Sequence, residues 1–136
     1  MVKKIFLIED CSHAHFSKYK GKKVGTLTEI SASSTMCSKT LTSGGNGGLV
    51  YTKNEKLYWH ARSLADRGKP FQDSNFHFRM TTNYLYPALN HNSDELSCAM
   101  GICGLLRLQN TIDQRHEIAK KIDKALKVSS VVKSAN

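Results

Sequence analysis

The chain has 136 residues, 40% of them hydrophobic and 23% charged, which suits one domain with a buried core and excludes a compositionally disordered chain. Lys and Arg number 20 against 11 Asp and Glu, a formal net charge of +9 that favours phosphate-bearing partners without specifying a fold. No apolar run approaches the roughly 18 residues of a membrane span, and the apolar start is too short for a signal-peptide core. Cys11, Cys37, Cys98 and Cys103 form no CxxC pair, so they are expected to be reduced thiols in a cytoplasmic protein.

In chain order, Ile5-Phe6-Leu7-Ile8 is a short continuous apolar run that predicts a buried parallel strand near residues 4–9. A basic, turn-rich stretch from Lys18 to Gly25 follows. Small and β-branched residues from Ile30 to Cys37 predict a second strand over about 30–36, and Leu49–Thr52 a third over about 48–52. Between them, Ser43-Gly44-Gly45-Asn46-Gly47-Gly48 is a turn that no regular element would tolerate.

Asn54 reads as the cap of a helix carrying Leu57, Tyr58, Ala61, Leu64 and Ala65, closed by Gly68 and Pro70. Residues 69–92 are irregular and aromatic. Asn92 with Glu95 has the shape of a capping box and predicts a helix from about 93. Leu96, Met100, Cys103, Leu106, Ile112, Ile118, Ile122 and Leu126 continue it as one long helix or as two joined near Asn110. The tail from Ser129 to Asn136 is expected to fray. Short strands followed by long helices argue for part of an α/β domain.

Asp10 directly follows the first predicted strand, and ligands of open α/β sheets bind at the carboxyl ends of strands. The bland alternative is a solvated loop acid. Lys39 follows the second strand among small hydroxyl residues and leads into the glycine turn, a setting that suits a Schiff-base amine as well as an exposed lysine. Cys11, His13 and His15 alternate and would share a face if extended, but zinc normally takes four ligands and the other cysteines lack metal-site spacing. The glycine turn is no Walker motif. The apolar residues over 57–65 and 96–106 are expected to be core stripes, and His60 and His116 structural or exposed. The lysines at 18–23 have Tyr19 alone as an interleaved aromatic, which disfavours a nucleic-acid surface.

Three ordered segments carry a family resemblance: Ile8-Glu9-Asp10-Cys11-Ser12-His13-Ala14-His15, then Lys20-Gly21-Lys22-Lys23-Val24-Gly25-Thr26, then Ser34 to Lys39 with the glycine turn. Together with Ala61–Gly68 and Asn90–Gly101, they closely resemble the DegT/DnrJ/StrS-type sugar aminotransferases, which depend on pyridoxal 5'-phosphate. The resemblance runs from about residue 4 to 127. It implies a partial three-layer αβα large domain of a fold-type-I pyridoxal-phosphate-dependent transferase.

The resemblance also implies roles. Asp10 would keep the pyridine nitrogen protonated, His13 would contact the phenolic oxygen, and Ser34 would bind the phosphate. Lys39 would be the Schiff-base lysine and proton shuttle. Asn90 would reach the phosphate in a neighbouring subunit. Substrates would be a keto-sugar nucleotide and glutamate or glutamine as amino donor, with no nucleic-acid or membrane partner. Departures from the family are Phe16 for a glycine, Ser33 and Thr35 for aromatics, a glycine turn without glutamate and one residue longer, and Asn92 for an arginine.

Family members carry a longer N-terminal stretch and a C-terminal small domain. Residues 1–128 are therefore expected to be the C-terminal half of a large domain, with 129–136 a tail, in a homodimer or paired with a complementing chain. A non-catalytic remnant of the same ancestry is the alternative.

Overall fold

A computed structural model describes residues 5–77 and 84–128. The expected fraying of 129–136 lies outside the described residues. The elements are β1 (Ile8–Asp10), β2 (Lys18–Tyr19), β3 (Lys22–Lys23), β4 (Ile30–Ser34), β5 (Gly48–Thr52), α1 (Glu55–Ala65) and α2 (Glu95–Leu126). β1, β4 and β5 form one sheet in that order, with β4 central. β1 and β4 run parallel, Asp10 opposite Ala32, as the apolar run predicts. β4 and β5 are antiparallel, Ser34 opposite Gly48. The result is an α/β arrangement of a mixed sheet and two helices. No helix of the described residues is long and apolar enough to cross a membrane.

Several expectations need correction. β1 starts at Ile8, and Ile5, Phe6 and Leu7 precede it with their side chains exposed. The run is not buried: Ile8 is 68% exposed, because β1 pairs only with β4 and no layer of the described residues covers the run. β4 ends at Ser34, where the Met36 N–H turns back to the Ser34 hydroxyl at 3.3 Å. The lysine-rich stretch is a β-hairpin, Lys18 opposite Lys23, and its two loop residues Lys20 and Gly21 both have positive φ. That is the turn whose twist matches paired strands. Lys-Gly lacks the Asn-Gly signature, so the sequence pattern does not announce it.

α1 is capped as predicted, the Leu57 N–H donating to Asn54 Oδ1 at 3.2 Å. The cap of α2 is Asp94, not Asn92. The Ser97 N–H and hydroxyl each donate to the Asp94 carboxylate at 2.8 Å, whereas Asn92 turns to Asn90. α2 is one unbroken helix through Asn110. Thr111 returns its hydroxyl to the Arg107 carbonyl, a helical side-chain bond that keeps it from competing for a turn.

The expected core stripes are also corrected. Leu96 and Leu106 are 79% and 81% exposed, and Leu64 is exposed on α1. α2 meets the 41–44 segment through small residues: a Cβ at Gly104 would lie 3.1 Å from the Thr42 carbonyl oxygen. The residue of α2 that is fully buried is Leu108, which lies outside the expected stripe. Periodicity marks an apolar side of a helix; it does not supply the layer that covers it. His60 and His116 are exposed.

Candidate functional site

Asp10 ends β1, and the Cys11 N–H extends the pairing by donating to the Ala32 carbonyl at 2.7 Å. The chain then turns, the Ser12 N–H donating to Asp10 Oδ1 at 3.0 Å. Hydrogen bonds from Ser12, hydroxyl and backbone, hold the Asp10 carboxyl below the usual carboxylate range, and the nearby charges of His13 and Lys39 act in the same direction. A strand-end carboxylate that stays ionised is available to pair with a protonated nitrogen.

The segment from Thr35 to Gly47 carries Lys39 and is tied to itself. Thr35 N–H donates to the Gly47 carbonyl, Cys37 N–H to Gly45 and Ser43 N–H to Thr35, each at 2.8 Å. The buried hydroxyls of Thr35 and Ser43 lie 3.0 Å apart. Gly47 passes so close that a Cβ there would be 2.6 Å from both oxygens. Glycine is needed here for this close approach and not for an unusual φ. Arg115 of α2 donates to the Thr40 hydroxyl at 2.8 Å, anchoring the residue beside Lys39.

These constraints bring Lys39 Nζ to 2.8 Å from His13 Nε2. Asp10, His13 and Lys39, well separated in the chain, thus share one end of the β1–β4 strand pair. His15 joins the same edge, its Nε2 2.8 Å from the Ser33 hydroxyl. Burial pushes its imidazole pKa down, against a backbone hydrogen bond with Ser34 that raises it. Ser34 ends β4, its hydroxyl accepting the Met36 N–H. Cys11 is buried with its Sγ beside Gly25, and its carbonyl accepts the Ser33 hydroxyl at 3.4 Å. No group of three metal-ligating side chains occurs among the described residues.

Asn90 belongs to a second cluster. It bridges to Asp66 at the end of α1, and its Oδ1 accepts from the Asn92 backbone and amide. Burial pushes the Asp66 carboxyl up, but bonds from Lys69, Arg67 and Asn92 outweigh it and leave the pKa lowered. Lys69 Nζ donates to Asp66 at 2.8 Å, and both residues are buried. Sequence reading misses this pair, whose one trace is the Asp-x-x-Lys spacing at a helix end.

Sequence reading misses Glu9 as well. Its carboxylate accepts the N–H groups of Gly25, Leu27 and Thr28 at 2.7–2.9 Å and so fastens the exit of the hairpin. Those bonds, the one from Gly25 first, hold its pKa down. The available signal is strand alternation: adjacent residues point to opposite faces, so Glu9 and Asp10 cannot do the same work.

The chain matches the DegT/DnrJ/EryC1/StrS aminotransferase family over residues 2–134. It is 36% identical over 115 residues to a GDP-perosamine synthase of Escherichia coli O157:H7, covering 85% of this chain and 29% of that protein. The crystal structure of an aminotransferase from Streptoalloteichus hindustanus superposes with a TM-score of 0.80 at 26% identity, over 93% of this chain and 32% of the other. A putative sugar aminotransferase of Streptococcus pneumoniae in its pyridoxal-phosphate form, at 22% identity, shares the fold with a TM-score of 0.78, over 92% of this chain and 31% of the other. The chain thus spans about 30% of the length of these relatives. With matching motifs, matching fold and a match over nearly its whole length, this chain belongs to the DegT/DnrJ/EryC1/StrS aminotransferase family.

Proposed function

We propose that residues 1–128 form the part of a pyridoxal-phosphate-dependent aminotransferase that holds the cofactor's reactive end, and that the whole enzyme moves an amino group from glutamate or glutamine to a keto-sugar nucleotide. The observation that carries this reading is the placement of Lys39 Nζ against His13 Nε2, at the strand edge where Asp10 stays ionised. The donor set fits the group: a carboxylate for a pyridine nitrogen, a primary amine for a carbonyl, and the Ser34 hydroxyl for a phosphate. When bound, pyridoxal phosphate supplies the electron sink for amino transfer.

Asp10 acts by keeping a proton on the ring nitrogen, since a carboxylate stabilises the cationic form beside it. Lys39 would hold the group through its amine, and its Nζ would be the atom that takes up and returns a proton. His13 orients that amine through the 2.8 Å contact and sits where the family places a polar residue on the phenolic oxygen. Asn90 stands in the Asp66 cluster. In the role the family resemblance implies, it would serve the phosphate of a neighbouring subunit, in a homodimer or with a complementing chain. Four free cysteines fit a cytoplasmic, reducing compartment.

An absorbance titration tests the reading. Pyridoxal phosphate added to the chain should give a saturable new band, lost in Lys39→Ala and shifted in Asp10→Ala. Identical spectra for the three proteins would refute it.

A further inference from the structure

A cavity of about 340 Å³ opens between α1 and the loop after it, lined by Trp59, His60, Ser63, Phe71, Gln72 and Tyr86 among others. None of Asp10, His13, Ser34 and Lys39 lines it. Ser63 is 3% exposed, and its hydroxyl is the one buried side-chain oxygen among the described residues without a hydrogen-bond partner. Buried polar groups are nearly always paired, and a helical serine normally returns its hydroxyl to the carbonyl one turn back. A hydroxyl left open at a cavity wall has the form of half of a ligand contact.

The rest of the lining says what kind of ligand. Trp59, Phe71 and Tyr86 line it with three aromatic rings, all held in place. Phe71 carries the Arg62 guanidinium 4.5 Å from its centroid and meets Phe76 edge-on, which leaves Trp59 and Tyr86 as the stacking surfaces. The Trp59 indole N–H donates to Glu55 at 3.3 Å, and the Tyr86 hydroxyl donates to the His60 carbonyl at 3.4 Å. The exposed Gln72 amide adds a donor and an acceptor to the lining. Lys69 also lines the cavity, but its ammonium is held by Asp66 at 2.8 Å. A buried cation already matched to a carboxylate is poorly placed to draw a phosphate. Aromatic faces with mixed donors and acceptors suit an uncharged planar heteroaromatic ring. The volume lies at the small end of ligand pockets and admits a base with its ribose rather than a whole nucleotide-sugar.

We infer that this cavity takes the nucleobase of the nucleotide-sugar, with Ser63 and Gln72 reading the edge of the ring. The inference rests on the substrate class proposed above. Trp59 is the sole tryptophan of the chain, so its fluorescence reports occupancy. The 136-residue chain is titrated with guanosine, with uridine and with ribose 5-phosphate, correcting for nucleoside absorption. Saturable quenching is expected with at least one nucleoside and none with the sugar phosphate. Ser63→Ala removes only the unpaired hydroxyl, so the fold should survive while binding weakens roughly five- to tenfold. Gln72→Ala, at an exposed position, provides a second variant with the same expectation.

No quenching by either nucleoside, equal quenching by ribose 5-phosphate, or unchanged affinity in both variants would overturn the inference. A pyridoxal-phosphate band at Lys39 without nucleoside binding would sink this inference and spare the proposed chemistry. Nucleoside binding without that band would do the reverse.

Discussion

Replacing Gly47 by alanine places a methyl group where the loop carrying Lys39 is drawn tightest. The added Cβ would stand 2.6 Å from Thr35 Oγ1 and 2.6 Å from Ser43 Oγ. That is well inside the roughly 3.5 Å of ordinary contact. Both neighbours are side-chain oxygens, so they yield by rotating, and the buried Thr35–Ser43 hydrogen bond at 3.0 Å is lost. A buried hydroxyl left unpaired costs about 1–3 kcal/mol. Alanine recovers about 0.4–1 kcal/mol by restricting the unfolded chain. Taking the middle of each range, the net destabilisation is about 1.3 kcal/mol.

Gly45, two residues away in the same run, faces open space: a Cβ there would meet no atom within 4 Å, so Gly45→Ala should be neutral or slightly stabilising. Urea unfolding followed by Trp59 fluorescence compares the two variants directly. Equal midpoints for Gly47→Ala and Gly45→Ala would refute the close-packing argument. So would a Gly47→Ala protein that matches the unsubstituted chain.

Lys69→Met should cost about 3 kcal/mol, the low end for breaking a buried ion pair, because Arg67 remains as a partner of Asp66. The pH dependence follows from the lowered Asp66 pKa. Its contribution is fully present above the ordinary carboxylate value of about 3.9 and is lost as pH falls through the lower folded value. Acid unfolding curves should therefore be shallower in Lys69→Met, and parallel curves would contradict the assignment. Asn54→Ala removes the α1 cap and should lower stability by about 1 kcal/mol, read as a shift in the urea midpoint, with Asn54→Asp nearly neutral.

What the sequence discloses and what it conceals divide along physical lines. Local chemistry is legible: the parallel pairing of the first strand, the third strand at Gly48–Thr52 and the Asn54 cap all follow from short-range patterns. So is the position of Asp10 at a strand end, and of Lys39 before a glycine turn. Contacts made across the chain are not. That Glu9 rather than Asp10 braces the hairpin exit depends on which face of β1 meets residues 25–28. The 2.8 Å approach of His13 to Lys39 spans 26 residues and rests on a loop closed by Gly45 and Gly47. The exposure of Leu96 and Leu106 is equally hidden, because a pattern gives the apolar side and leaves its covering unstated.

The central claim is that Lys39 is chemically distinct among the lysines because Asp10 and His13 stand beside it. Borohydride reduction after incubation with pyridoxal phosphate, followed by peptide mass spectrometry, locates the modified amine. The label is expected to concentrate on Lys39 at low cofactor concentration and to fall at that position in Asp10→Ala and His13→Ala. Label spread evenly over the exposed lysines at 18–23 and elsewhere, unchanged by either substitution, would contradict the claim.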